Sequence, residues 1–320
     1  MTRRSGFVVA AVVLGVAALG CAGSPQRLKL AAGPQGGTWY PLAGALKNVL
    51  ERHVGGAWVQ VVPGGGVANV MAIEIGRADL ALANSVSTVD ALNGERPFKA
   101  RARNICNLAT LYPQYFQVVT LAGSGIDSPA AFRGRALATQ PRGNTGEAIT
   151  LHLLRAYGLT YADLSRVSFG NYTDSVTLMQ DGNAQIFTLG TSVPASSVME
   201  LASARAVELV GIPDDGLKRM QAINAGYTRT VIPAGTYTGQ DRDVPTIGYA
   251  THLIGRCSLD SRVVTEILTG VLVSLDSLSA VTRAIRQASP ASMSADIGVP
   301  MHPAATVWYR QHGVELVTAR

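Results

Sequence analysis

Three short segments set glycines beside small hydroxyl or amide side chains just before an apolar stretch of helical period: Gly36-Gly37-Thr38, Gly64-Gly65-Gly66 with Asn69, and Gly143-Asn144-Thr145-Gly146. The chemistry open to such segments is reversible capture of an anion. The first turn of a helix offers unpaired backbone N–H groups and the positive end of the helix dipole, and glycine lets a ligand approach the main chain. Covalent chemistry lacks its parts. The five histidines, at 53, 152, 252, 302 and 312, show no His-Glu-x-x-His spacing, and neither a Cys-x-x-Cys pair nor a Gly-x-Ser-x-Gly elbow occurs. Neither Gly-x-Gly-x-x-Gly opening a helix nor the Lys-Ser/Thr of a phosphate-binding loop is present, so no cofactor is implied. Asp214-Asp215 before Gly216 read as a solvated helix start, and a receptor is favoured over an enzyme.

The elements that must position these loops recur along the chain. The alternating run Arg27 to Leu30, the loop 31–38, and a helix marked by Leu42, Leu46, Val49 and Leu50 form the first strand, loop and helix. Val59 to Val62, Pro63 to Gly66, and Val67, Val70, Met71 and Ile75 form the second. Arg135 to Ala138, the loop 141–147, and a helix from Ala148 to Tyr157 stopped by Gly158 form the third. Leu80 to Ala83, Leu108 to Leu111, Gln117 to Leu121, Gln185 to Thr188 and Thr246 to Ala250 read as further strands. Such alternation predicts an α/β chain with a mostly parallel sheet, whose loops leave the carboxyl ends of the strands for one crevice. The stretches near 117–125 and 245 read as crossings between two lobes. The helix after Leu259 carries Val263, Val264, Ile267, Leu268, Val271, Leu272 and Leu275 on one face, which is ordinary core packing.

Composition bounds the class. With 320 residues, 47% hydrophobic and 15% charged, the chain can fill two cores. Arg3 and Arg4 precede an uncharged run from Phe7 to Gly20 that is too short to span a bilayer, which predicts an export signal over residues 1–20. Small residues directly before Cys21 resemble a bacterial lipobox, so Cys21 is expected to carry lipid, with 21–26 as a linker. Loss of Arg3 and Arg4 from a formal charge of +6 leaves +4, suited to small anions. The basic residues are scattered without interleaved aromatics, and no nucleic acid partner is expected. Cys106 and Cys257 are compatible with one disulfide or with two buried thiols.

Taken in order, Gly36-Gly37-Thr38-Trp39-Tyr40-Pro41, Gly64 to Asn69, Gly76-Arg77-Ala78-Asp79-Leu80-Ala81, Leu111-Tyr112-Pro113, Ile232 to Tyr237 with Gly239-Gln240-Asp241, and Met301 to Ala305 resemble the TAXI family of TRAP-transporter solute receptors. The resemblance spans Leu28 to Gly313. It implies a two-lobed, flytrap-like periplasmic-binding-protein fold of type II, with lobe 1 over 27–120 plus 245–320, lobe 2 over 121–244, and a helical C-terminal region. It also implies a small carboxylate ligand (a dicarboxylate, a 2-oxoacid or a glutamate-like amino acid), a TRAP-type membrane permease as partner, and a periplasmic or cell-surface location. The same lobes would equally serve a sensor that presents its closed form to a membrane signalling protein.

Carried onto this chain, the resemblance makes Gly36, Gly37 and Thr38 donors to the carboxylate, and makes Trp39 or Tyr40 the wall of the aliphatic part, one of the two being core. Asn69 is a polar contact or a helix cap. Asn144 and Thr145 cap the facing helix and meet the ligand from the other side, while Tyr112 and Gly190 complete the ring. The chain departs from the family pattern at Asn84-Ser85-Val86, where Gln-Ser-Asp is usual. The missing acid tilts the expected ligand from amino acids toward dicarboxylates or oxoacids, with Asn84 and Ser85 still in the site. Arg142 is then a clamp for a second carboxylate or a solvated loop residue.

Overall fold

The computed structural model describes residues 26–33 and 38–316; Cys21, Gly36 and Gly37 lie outside the described residues. The first half runs β1 (Gln26–Ala31), α1 (Trp39–His53), β2 (Ala57–Val62), α2 (Gly66–Glu74), β3 (Leu80–Asn84), α3 (Ser85–Asn93) and the long β4 (Ile105–Leu121). The second half continues with β5 (Ala136–Thr139), α4 (Thr145–Ala156), β6 (Arg166–Phe169), α5 (Tyr172–Gln180), β7 (Ile186–Thr191), α6 (Ser196–Ala204), β8 (Val207–Leu209), α7 (Asp214–Ile223) and β9 (Thr228–Ile232). Then β10 (Val244–Arg256) returns to the first half, and α8 (Ser261–Val273), α9 (Leu275–Ser279), a 3-10 turn (Arg283–Gln287), α10 (Pro290–Met293) and α11 (Pro303–Gln311) follow.

The strands form one sheet in the order β2-β1-β3-β10-β4-β7-β5-β6, with β8 on β4 and β9 on β10. Each end is parallel: β1 lies between β2 and β3, and β5 between β6 and β7. The centre is antiparallel, because β4 and β10 pair with each other and with β7 and β3. The expected parallel sheets are therefore the two wings of a single mixed sheet. Residues 108–111 and 117–121, which read as separate strands around Pro113, belong to one strand. Proline has no amide hydrogen to give a ladder, and Pro113 is exposed opposite Ala250.

Apolar side chains settle into separate cores on either side of the antiparallel centre. Leu28, Leu30, Leu42, Leu46, Leu50, Val263, Ile267, Trp308 and Tyr309 share one, and Phe116, Phe132, Leu137, Leu153, Ile186 and Tyr249 share another. Along β4 the side chains change core between Tyr112 and Phe116, and along β10 between Tyr249 and Leu253. This gives the two lobes joined by two strands.

Cys106 and Cys257 form a disulfide between the start of β4 and the turn after β10, settling the alternative the spacing leaves open. The helix expected after Leu259 stops at Val273, and α9 starts afresh at Leu275. No helix among the described residues is long and apolar enough to cross a membrane.

Candidate functional site

A cleft of about 790 Å³ lies where the two cores meet. Its floor is Thr110 to Pro113 and Tyr115 of β4 with Tyr249 and Ala250 of β10. Thr38 at the start of α1 stands on one side, and Ser192 to Pro194, just after β7, on the other. The 3-10 turn with Thr282, Arg283 and Gln287, and the loop with Asp296, also line the cleft. Consecutive residues reach the floor because the β4–β10 ladder is irregular there: Thr251 pairs with Tyr112 and His252 with Thr110, which leaves Leu111 as a bulge and breaks strict alternation.

Most of its polar groups are neutral hydroxyls. Tyr112 accepts a hydrogen bond from Trp39 Nε1 at 3.1 Å. Burial pushes the Tyr112 phenol above its ordinary pKa, against the opposing pull of its hydrogen bonds to Thr251 and Trp39. Burial raises Tyr249 in the same way. Both stay protonated at neutral pH and can donate. Thr38 occupies the N-cap position of α1, yet its side chain makes no capping bond. Thr282 is 8% exposed, and its hydroxyl has no hydrogen-bond partner among the described residues.

A second group of expected residues converges beside this cleft at the starts of α2, α3 and α4. Asn84 Nδ2 donates to Thr145 Oγ1 at 3.0 Å, and Ser87 Oγ lies 3.0 Å from the same atom. Asn84 Oδ1 is buried without a partner among the described residues. A Cβ on Gly66 would lie 2.6 Å from Thr145 Oγ1, so only glycine permits this approach. Ser85 is spent within the protein, donating to Gly226 O at 3.2 Å and accepting from Ala250 N at 3.0 Å. Asn69 is likewise internal: its amide donates to Ala32 O (2.6 Å) and Leu82 O (2.7 Å), and its oxygen accepts from Gly65 N at 2.9 Å. Its place is to fix the glycine loop, not to face the cleft.

The remaining expected residues do not line the cleft, although Trp39 touches it through Tyr112. Trp39 and Tyr40 are half-buried and both pack against the first core. Gly190 sits behind the floor, its carbonyl accepting from the Tyr172 hydroxyl at 2.9 Å, with Tyr249 filling the space a side chain would need. Asn144 is exposed at the N-cap of α4 without a side-chain cap bond. Arg142 lies over the Phe169 ring at 4.1 Å and near Tyr161 at 5.8 Å, away from the cleft lining.

The chain belongs to the NMT1-like family. The family model matches residues 30–313, which takes in both cores and the C-terminal helices. Among solved structures, PhnD1 from Prochlorococcus marinus in complex with methylphosphonate is similar at 13% identity and a TM-score of 0.52, over 82% of this chain and 92% of that one. A Xanthomonas citri protein bound to chloride ion is similar at 11% identity and a TM-score of 0.51, over 89% and 95%. At such identities the likeness establishes the fold alone.

Within this NMT1-like fold Thr110, Tyr115, Thr228, Tyr249, Thr282, Arg283 and Asp296 also line the cleft, and no motif in the sequence marks them as site residues. The strand residues carry no local sign, because alternation does not tell which of two faces meets solvent-filled space. Thr282 and Arg283 stand in a non-periodic stretch between short helices, where spacing predicts nothing.

Proposed function

We propose that the protein is an extracytoplasmic solute-binding receptor that holds a small carboxylate between its lobes and passes it to a TRAP-type membrane permease. One observation carries this reading: the cleft is walled from both cores and floored by the two strands that join them. A ligand seated there touches both lobes at once, so binding and hinge closure are one event. The neutral hydroxyls of Thr38 and Tyr112 suit a ligand that must leave again, since they hold an oxyanion by hydrogen bonds. Two proteins of similar fold hold small anions, methylphosphonate in one and chloride in the other. The TRAP partner, the lobe boundaries near 120 and 245, and a lipid on Cys21 that keeps the receptor at a membrane rest on the family resemblance and the residues before Cys21.

A thermal-shift panel of amino acids, 2-oxoacids, dicarboxylates, alkanesulfonates and alkylphosphonates tests the ligand class. A ligand present at 100 times its dissociation constant stabilises the folded state by about 2.7 kcal/mol, which is readily seen. Stabilisation by one carboxylate class is expected. A response confined to sulfonates or phosphonates, or none at all, overturns the carboxylate reading.

A further inference from the structure

Arg283 is the sole cationic side chain among the described residues lining the cleft. No carboxylate among the described residues lies within ion-pair distance of it, whereas six other lysines and arginines are so paired. Its backbone is fixed: Ile285, two residues on, is fully buried in the first core, and Ala284 and Ala288 pack against that core. Beside it, Thr282 is 8% exposed, lines the same cleft, and has a hydroxyl with no hydrogen-bond partner among the described residues. An unpaired buried hydroxyl costs free energy that a ligand oxygen recovers on binding. The one acid among the described lining residues, Asp296, accepts the amide of Gly298 at 2.9 Å on its own loop and forms no ion pair with Arg283.

We propose that Arg283, with the hydroxyl of Thr282 beside it, anchors the ligand's acidic group and sets the cleft's selectivity for anions. Arg283 is exposed to the open cleft, and its guanidinium presents parallel N–H donors that match the two oxygens of a carboxylate. Arg142 is not available for this, since its guanidinium lies on the Phe169 ring. The inference rests on the reading of the cleft as a carboxylate site. It gives the C-terminal 3-10 turn, and not only the glycine loops, a part in recognition.

The test is titration calorimetry of the purified protein with L-glutamate and with 2-oxoglutarate, on the wild type and on Arg283→Gln, Arg283→Lys, Arg286→Gln and Thr282→Val. Arg286, on the same turn and exposed like Arg283, does not line the cleft, so its loss changes the net charge equally without removing the contact. Arg283→Gln is expected to weaken the better probe by about ten- to a hundredfold, Arg283→Lys by less, and Arg286→Gln by less than about twofold. Thr282→Val is expected to weaken binding several-fold while leaving the unliganded melt unchanged or raised, because an unpaired buried hydroxyl is exchanged for a methyl of similar size. Wild-type affinity in Arg283→Gln, or an equal loss in Arg286→Gln, overturns the assignment while the receptor reading stands. Binding of neither probe to the wild type, in calorimetry or in a melt, removes the carboxylate site and this anchor with it.

Discussion

Asn84 Nδ2 lies 3.0 Å from Thr145 Oγ1, joining the first residue before α3 to the first residue of α4. Ser87 shares the same oxygen, and the backbone of Gly66 closes over it. The residues expected to grip a ligand from opposite lobes thus grip one another, and they hold the lobes together at one end of the crevice while the cleft on β4 and β10 stays open.

Thr145→Val keeps the shape of this junction and removes its shared hydroxyl. Two neutral hydrogen bonds at about 1 kcal/mol each would go, a shift of about thirtyfold toward separated lobes. Small-angle scattering of the unliganded variant should give a larger radius of gyration than the wild type, and saturating ligand should restore it. Identical radii for the two unliganded proteins would show that the junction does not set the lobe spacing.

Thr38 stands at the N-cap of α1 with a hydroxyl that does not cap, and it lines the cleft. Thr38→Val should therefore weaken carboxylate binding by roughly 1.5–3 kcal/mol, the worth of a hydrogen bond to a charged group, and leave the unliganded melting temperature in place. A cap residue would behave in the opposite way, losing about 1 kcal/mol of stability with affinity intact. Calorimetry and a melt on the same variant separate the two.

The wings of the fold were legible because each repeats a strand, a glycine loop and an amphipathic helix: Arg27 to Leu50, Val59 to Ile75 and Arg135 to Tyr157 all appear as elements in that order. The centre was legible only in pieces: Leu108 to Leu111, Gln117 to Leu121 and Thr246 to Ala250 read as strands and lie within β4 and β10, but Pro113 breaks the alternation of a strand that pairs across it regardless. Local pattern located Thr38 and Thr145 at helix starts, which are set by residues close in sequence. It could not show that Thr145 would meet Asn84, 61 residues away, or that Ser85 would be spent on Gly226, 141 residues away. Arg142 and Arg283 look alike in sequence, and only the placement of Phe169 against one and the cleft against the other tells them apart.

The Cys106–Cys257 disulfide closes a separation of 151 residues and bridges the outer ends of β4 and β10 in the first lobe. It limits the unfolded chain, so its loss should cost about 2–5 kcal/mol. A paired Cys106→Ala, Cys257→Ala variant should melt well below the wild type, and adding reductant should no longer lower its melt. A variant as stable as the wild type would show that native packing in this region bears the load without the cross-link.

Asp90 of α3 is 4% exposed and accepts from Asn224 Nδ2 at 2.6 Å, while the same amide reaches Val86 O at 2.8 Å, so α3 is clamped to the segment before β9. Burial pushes the Asp90 carboxyl up to about 7; the bond from Asn224 opposes the rise, and nearby Glu95 adds to it. The folded state therefore keeps a proton that the unfolded chain releases near its ordinary value of about 3.9. Stability from this group is fully present below that value and is lost as pH rises through about 7. His152 and His252 run the other way. Burial lowers them to about 4 and about 3, so their contribution is present above the unfolded value near 6.5 and is lost as pH falls. Because two histidines oppose one acid over the same range, the wild-type curve alone does not isolate Asp90. Asp90→Asn does: it keeps an oxygen for Asn224 and cannot ionise. The variant's stability relative to wild type should climb as pH rises from about 4 to about 7 and then level off, by an amount on the order of a few kcal/mol. Urea unfolding of both proteins across that range measures it. Parallel curves would mean that Asp90 titrates in the folded protein as it does in the unfolded chain.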